Sequence, residues 1–401
     1  MIFGKLRQVN DLCCTPTRDS LIQVLFKLGV CLENSDGGPL KEPGVTEDKL
    51  KEFRRRIDVI DDQILDLLNR RARIVVEVGK AKQGARGDFY VPSREKAIYD
   101  RLIHDNAGPF PDDGVRRVFR EIISASLSLE EPLKVAFLGP QATFTHVATM
   151  QQFGQSARLV PQKSIPAVFD EVARGRANYG VVPVENSNEG IVNHTLDMFF
   201  ESDLKIIAEI LLEVSHDLLS ISGDLAAVRK VISHPQALAQ CREWLEENLP
   251  HVSLVDVAST ALAAQLVADD ESAAAIASEQ AGSLYGLKVA KHKIEDNPNN
   301  FTRFLVVGRN TPSRSGNDKT SIMFSVKDEA GILYRMLEPF SSRGINLCKI
   351  ESRPLRKKAW EYIFFLDLEG HIEDVIIREA VEDLRQYCQF LKVLGSYPRV
   401  R

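Results

Sequence analysis

Arg71 is a cation in the middle of an apolar helical stripe. Phe53, Ile57, Ile60, Ile64, Leu67, Ile74, Val78 and Ala81 recur at alternating steps of four and three, the spacing of one face of an amphipathic helix. Arg71 occupies the place between Leu67 and Ile74 where an apolar residue belongs. Lys82 follows about three turns later and projects from nearly the same face. A single arginine at the edge of such a seam ordinarily reaches water or pairs with a carboxylate. Two cations on one face point instead to a buried anion site. A guanidinium there suits a carboxylate, and an ammonium supplies a point charge.

The elements that must position these groups are legible nearby. No proline interrupts Thr46 to Ala81, and Thr46-Glu47-Asp48 puts a cap and two acids at the start of a helix. Gly84 and Gly87 are expected to end it. Pro92-Ser93-Arg94-Glu95 opens a second helix, and Asp112 or Asp113 a third that runs to about Glu130. The first helix is longer than an ~85-residue globule is wide. Much of its stripe must therefore pack on another chain, which predicts an intertwined helical dimer.

From Lys134 the pattern changes. Short β-rich runs (Val135–Leu138, Gly180–Val184, Val231–Ser233, Leu254–Val257, Ala274–Ala277, Phe304–Val307) alternate with helices. This predicts α/β organisation with mostly parallel strands, in two lobes around a cleft. Pro312 to Asp318 reads as a linker. The last module reads as strand Thr320–Val326, helix Ile332–Ser341, strands Asn346–Glu351 and Trp360–Leu368, helix Ile372–Leu384 and strand Leu391–Gly395. That order is the ferredoxin-like βαββαβ pattern. The expected domains are 45–131, 133–311 and 319–401, after an extension, 1–44, to which no role is assigned.

The 401 residues suffice for two to four domains. A net charge of -5 gives no reason to expect nucleic acid or an anionic membrane as partner, so an anionic ligand must be held by local cations. The six cysteines show no metal-ligand spacing and read as free thiols of a reducing cytosol. No run is long enough to cross a bilayer. No metal or cofactor is expected.

Residues 46–131 resemble the all-helical chorismate mutases. Arg54 and Arg71 fall on that family's carboxylate-binding arginines, Lys82 on its ether-oxygen lysine and Arg94-Glu95 on its loop pair. Ser126 and Glu130 fall on the hydroxyl and amide-type positions of the last helix. The resemblance implies a pericyclic rearrangement of chorismate to prephenate, driven by conformer selection and charge stabilisation. Glu95 is expected to accept from the substrate hydroxyl. Arg54 lies about 100° around the helix from Arg71 and is expected to serve the partner chain's site. Glu130 stands where many members have Gln, and it could help only when protonated. Mutase activity favoured at lower pH is the consequence.

Residues 134–309 resemble prephenate dehydratase. Gly139-Pro140 with Thr143-Phe144, Pro183-Val184-Glu185-Asn186, Ser233-His234-Pro235-Gln236 and Asn300-Phe301-Thr302-Arg303-Phe304 carry the likeness. It implies a two-lobed fold like that of periplasmic binding proteins, and loss of CO2 and the ring hydroxyl from prephenate. Thr302 is the implied hydrogen-bond donor to that hydroxyl, and Asn186, Ser233 and Gln240 are implied substrate contacts. His234 reads as a helix cap. Arg303 reads equally as a salt bridge or as a substrate ligand.

Residues 320–398 resemble an ACT domain through Ala330-Gly331-Ile332-Leu333 and Glu351-Ser352-Arg353-Pro354. The resemblance implies phenylalanine binding by Gly331, Ile332, Leu333, Glu351, Ser352, Arg353 and Pro354, commonly between paired modules; a tight turn and a strand-end ion pair are the plainer reading. Together these features describe a cytoplasmic bifunctional enzyme, a homodimer or higher homo-oligomer. It would take chorismate to prephenate to phenylpyruvate under phenylalanine inhibition. Arogenate as second substrate, or an amino-acid sensor with decayed sites, are the alternatives.

Overall fold

The computed structural model describes residues 47–82, 90–130, 133–327, 329–354 and 362–400. The side chains of Lys82 and Glu130 lie outside that description, as do the 1–44 extension and the expected helix stop at Gly84 and Gly87. The chain divides after Leu67 into two units. Helix α1 (Glu47–Lys82) opens with Glu47 and Asp48 in its first turn, where carboxylates oppose the positive end of the helix dipole. In the first unit Phe53, Ile57, Ile60, Ile64 and Leu67 are all exposed.

In the second unit Ile74 and Val78 continue the exposed stripe. Helix α2 (Pro92–His104) starts on a proline, whose missing N–H costs nothing in a first turn. Helix α3 (Asp112–Glu130) again begins with two acids.

Two sheets follow. The first contains β1 (Lys134–Leu138), β2 (Arg158–Gln162), β3 (Tyr179–Asn186), β4 (Gly190–Ile191), β5 (Lys205–Glu213) and, after a long excursion, a strand at Phe301–Gly308. Helices α4 (Phe144–Phe153), α5 (Ile165–Ala173) and α6 (Asn193–Glu201) connect them. The excursion forms the second lobe: β6 (Asp217–Ser220), β7 (Lys230–Ser233), α7 (Pro235–Gln240), α8 (Arg242–Asn248), β8 (Ser253–Asp256), α9 (Thr260–Val267), β9 (Ala273–Ala277), α10 (Glu279–Tyr285) and β10 (Lys288–Lys291). The returning strand is β11 (Phe301–Gly308). The orders are β2-β1-β3-β11-β5, with β4 on β3, and β10-β6-β9-β7-β8.

Both sheets are mixed, which corrects the expectation of mostly parallel strands. β1 runs parallel to β2 and β3, but β11 lies antiparallel between β3 and β5. The cause is topological. The chain leaves the first lobe along β5 and must come back into the same sheet, so the return strand points the other way. Strand β5, a nine-residue run that the sequence reading passed over, forms one wall of that return.

The last module is β12 (Asp318–Val326), α11 (Ile332–Ser341), β13 (Leu347–Pro354), β14 (Tyr362–Glu369), α12 (Val375–Arg385) and β15 (Cys388–Pro398). Its strands are antiparallel in the order β13-β14-β12-β15. Side chains alternate between two buried faces, as a pleated strand requires. Phe324 and Leu366 pack with Phe340 and Leu384 of the two helices. Met323, Phe365, Leu394 and Tyr397 share a core with Ile206, Leu305 and Val307 of the first lobe. The two sheets come close together at Gly395, where a β-carbon would stand 2.1 Å from the Ile206 carbonyl oxygen. No helix among the described residues is long and apolar enough to cross a membrane.

Candidate active sites

In the second unit, α1 brings Arg71 against α3. The Arg71 guanidinium donates to Ser126 Oγ, and that hydroxyl donates in turn to the Ile122 carbonyl, 2.6 Å away. Arg71 and Ser126 lie 55 apart in sequence, and the fold brings these two candidate residues together. Burial lowers the Arg71 pKa. Glu95 sits in the first turn of α2, and burial pushes its carboxyl up to about 8. Burial thus favours the protonated form, which can donate as well as accept. Arg94 is exposed. Arg54 belongs to the first unit, where its side chain is exposed. Lys82 and Glu130 are the last residues of α1 and α3, with side chains outside the described set.

The second candidate site grows from two paired strands. Thr302, the second residue of β11, lies opposite Asn186, the last residue of β3. Asn186 Nδ2 donates to Thr302 Oγ1 at 2.8 Å and to Asn300 Oδ1 at 2.9 Å. Asn186 Oδ1 accepts from the backbone N–H groups of Asn188 and Glu189, at 3.0 and 3.1 Å. Those backbone groups can only donate, so the amide orientation of Asn186 is fixed. Thr302 thus receives a proton at its oxygen, and its own O–H is left to donate. Gln240, the last residue of α7, joins the same network, its Oε1 accepting from Asn300 Nδ2 at 3.0 Å.

Ser233 stands apart from that network. It is fully buried at the end of β7, and its hydroxyl donates to the Ile276 carbonyl at 2.6 Å. That bond ties β7 to β9. His234 caps α7 by accepting from Gln236 N–H through Nδ1. Thr143 and Ser259 cap α4 and α9 in the same way through their hydroxyls.

Arg303 follows Thr302 but turns to the other face of the sheet. It donates to Glu209 at 2.9 Å, to Asp367 at 2.7 Å and to Tyr397 Oη at 3.0 Å. Burial opposes its charge, but Tyr397, Asp367 and Glu209 outweigh that and hold its pKa above the ordinary value. Lys319 bonds both oxygens of Glu209. Two cations and two carboxylates therefore balance in the buried interface with the last module.

In that module Gly331 has φ +78°, a left-handed conformation that favours glycine, at the start of α11. Ile332 opens α11, and Leu333 beside it is exposed. Glu351, Ser352, Arg353 and Pro354 end β13. Alternation puts Glu351 and Arg353 on the more buried face and Ser352 and Pro354 on the exposed one. Arg353 is engaged by Asp197 at 2.9 Å and by the Asn193 carbonyl at 2.8 Å. Lys349, also on β13, pairs with Glu185 at 2.5 Å.

Sequence reasoning missed Glu209, Asp367 and Tyr397. Each looks unremarkable in its own strand, and only the stacking of one sheet on another makes them partners. It also missed His216 and gave Asn300 no role of its own.

The chain matches the family "Prephenate dehydratase" over residues 135–312, "Chorismate mutase type II" over 53–131 and "ACT domain" over 320–386. A bifunctional chorismate mutase/prephenate dehydratase of Aquifex aeolicus is 51% identical over 356 residues, 88% of this chain and 98% of that protein. One from Pseudomonas aeruginosa is 44% identical over 359 residues, with the same shares. The crystal structure of an Arthrobacter aurescens prephenate dehydratase in complex with L-Phe is 36% identical. It superposes with a TM-score of 0.62 over 67% of this chain and 90% of that one. Both catalytic domains are present in one chain, ahead of an ACT domain. The chain belongs to the bifunctional chorismate mutase/prephenate dehydratase family.

Proposed function

We propose that chorismate rearranges at a site built on Arg71, and that prephenate loses water and CO2 in the cleft at Thr302. In the first reaction Arg71 and Arg54 hold carboxylates, with Arg54 acting in the partner's site. Lys82 meets the ether oxygen, and Arg94, Glu95, Ser126 and Glu130 complete the pocket. Negative charge that grows on the breaking C–O bond is what this cationic site stabilises. The Arg71–Ser126 contact supports the reading, because it holds the guanidinium in place before any substrate arrives.

In the second reaction the C–C bond to the ring carboxylate breaks, CO2 leaves, and its electron pair aromatises the ring. The ring C–O bond breaks in the same direction. Prephenate dianion and one proton give phenylpyruvate, CO2 and water. Thr302 donates its O–H to the departing hydroxyl; as a weak acid it works by orientation. Asn186 and Gln240 position the substrate, whereas Ser233, buried with its hydroxyl on the Ile276 carbonyl, holds β7 to β9. The observation that carries this is the bond from Asn186 Nδ2 to Thr302 Oγ1, which leaves the threonine proton available. Thr302→Val is expected to cut dehydratase kcat on the order of 10²- to 10⁴-fold and to spare the mutase. Equal loss of both activities, or none, refutes it. Parallel assay on prephenate and arogenate decides the second substrate.

Phenylalanine is the proposed effector, bound by Gly331, Ile332, Leu333 and the Glu351–Pro354 strand end. The L-Phe complex of the Arthrobacter aurescens dehydratase supports it. The exposed stripe of α1 supports a homodimer or a higher homo-oligomer. Free thiols at Cys241, Cys348 and Cys388 suit the cytoplasm. The proposed domain limits are 45–131, 133–311 and 319–401.

A further inference from the structure

His216 precedes β6 at the crossing from the first lobe to the second, and Asn300 precedes β11 at the return. The crossings are tied together: Val214 N–H donates to the Asn300 carbonyl at 2.7 Å, and Ile294 N–H to the His216 carbonyl at 2.8 Å. Both side chains are almost completely buried. His216 Nε2 lies 2.8 Å from Gln240 Oε1. Its ring meets Phe144 edge to face, with centroids 5.6 Å apart, and its Nδ1 is a buried atom without a hydrogen-bond partner among the described residues.

The direction of every bond in this network follows from one end. Backbone N–H groups fix Asn186 Oδ1, so Asn186 Nδ2 faces both Thr302 and Asn300. Asn300 must then present its oxygen to Asn186 and its Nδ2 to Gln240. Gln240 must answer with Oε1, and a second contact to that oxygen must also be a donor. His216 therefore carries its proton on Nε2. Burial holds the imidazole neutral by lowering its pKa, against the smaller opposing influences of Gln240, Glu295 and Asp217. With Oε1 held by two donors, the Gln240 Nε2 hydrogens remain for a ligand in the cleft.

We infer that His216 is a positioning residue for the dehydratase. Its Nε2–H and the Asn300 amide, itself set by Asn186, together clamp Gln240 Oε1 and so leave the Gln240 Nε2 hydrogens to donate to the substrate beside Thr302. His216 touches no substrate. Its place at the lobe crossing couples the setting of the donors to the relative placement of the two halves of the cleft. The inference rests on the proposed role of Thr302.

The test compares His216→Leu with His216→Gln, whose amide can put a donor near the Nε2 position. Dehydratase kcat and KM are measured on prephenate, with mutase activity and the thermal midpoint as fold controls. His216→Leu is expected to lose kcat on the order of 10- to 100-fold with KM within about twofold, and His216→Gln to restore most of it. Wild-type kcat in the leucine variant, equal losses in both variants, or a loss confined to KM overturns the inference. Should His216→Leu fail to fold, Asn300→Asp decides. It keeps the acceptor for Asn186 but opposes a second acceptor to Gln240 Oε1, so a similar fall in kcat is expected and an unchanged rate overturns the proposal. An active Thr302→Val would instead remove the reading of Thr302 itself.

Discussion

Thr302 and Arg303 are consecutive on β11, and their side chains leave the strand in opposite directions. Thr302 meets Asn186 on one side, and Arg303 meets Asp367 of the ACT module on the other. The neighbouring strand repeats the arrangement. Asn186 faces Thr302, while Glu185 before it pairs with Lys349 of β13. Strand alternation thus puts the donor pair on one face of a two-residue-wide ribbon and its ties to the sensor on the other.

Arg303→Met is expected to weaken phenylalanine inhibition more than it lowers the uninhibited dehydratase rate. Removing the guanidinium leaves Asp367 without its cation in a buried site, a change that costs about 3–5 kcal/mol, while Glu209 keeps Lys319. A thermal melt reads that loss, and dehydratase assays with and without phenylalanine read the coupling. Unaltered inhibition would show that the ionic ties do not transmit it.

Gly395→Ala tests the sheet-to-sheet contact without changing charge. The new methyl would meet the Ile206 carbonyl oxygen at 2.1 Å, and both atoms belong to strands, so the sheets must part. A loss of about 1–3 kcal/mol is expected, with weaker phenylalanine inhibition and full mutase activity. An unchanged melting temperature would contradict the contact.

Glu95 gives a pH dependence with a definite sign. Burial raises its folded pKa from 4.5 to about 8. Its contribution to stability is therefore complete below pH 4.5 and is lost as pH rises through about 8. Melting temperatures of the wild type and Glu95→Gln, followed from pH 5 to pH 9, should converge in acid and separate in alkali, the variant being the more stable. Parallel curves would rule this out.

Arg71→Leu should reduce mutase kcat/KM at least about 10²-fold, a loss typical of removing a preorganised charge contact, and leave the dehydratase alone. Ile64→Glu, on the exposed stripe of α1, should reduce mutase activity together with oligomer size in sedimentation. A variant of wild-type mass and wild-type rate would contradict a site shared between chains.

The sequence alone determined the local elements and the chemistry of each segment. Periodicity in α1 is a property of adjacent turns, so Arg71 announced itself by interrupting it. The βαββαβ order was equally readable, because strand length and turns are local, whereas the Asn300–Phe304 run stood out only through its resemblance to prephenate dehydratase. Tertiary structure decided which groups meet. The return of β11 between β3 and β5 placed Thr302 beside Asn186, more than a hundred residues away. Sheet stacking settled the open reading of Arg303 in favour of the ion pair, and β13 docking engaged Arg353 with Asp197. His216 carries no sequence signal, because the direction of a hydrogen bond belongs to a network, and that network exists only once the lobe crossings lie side by side.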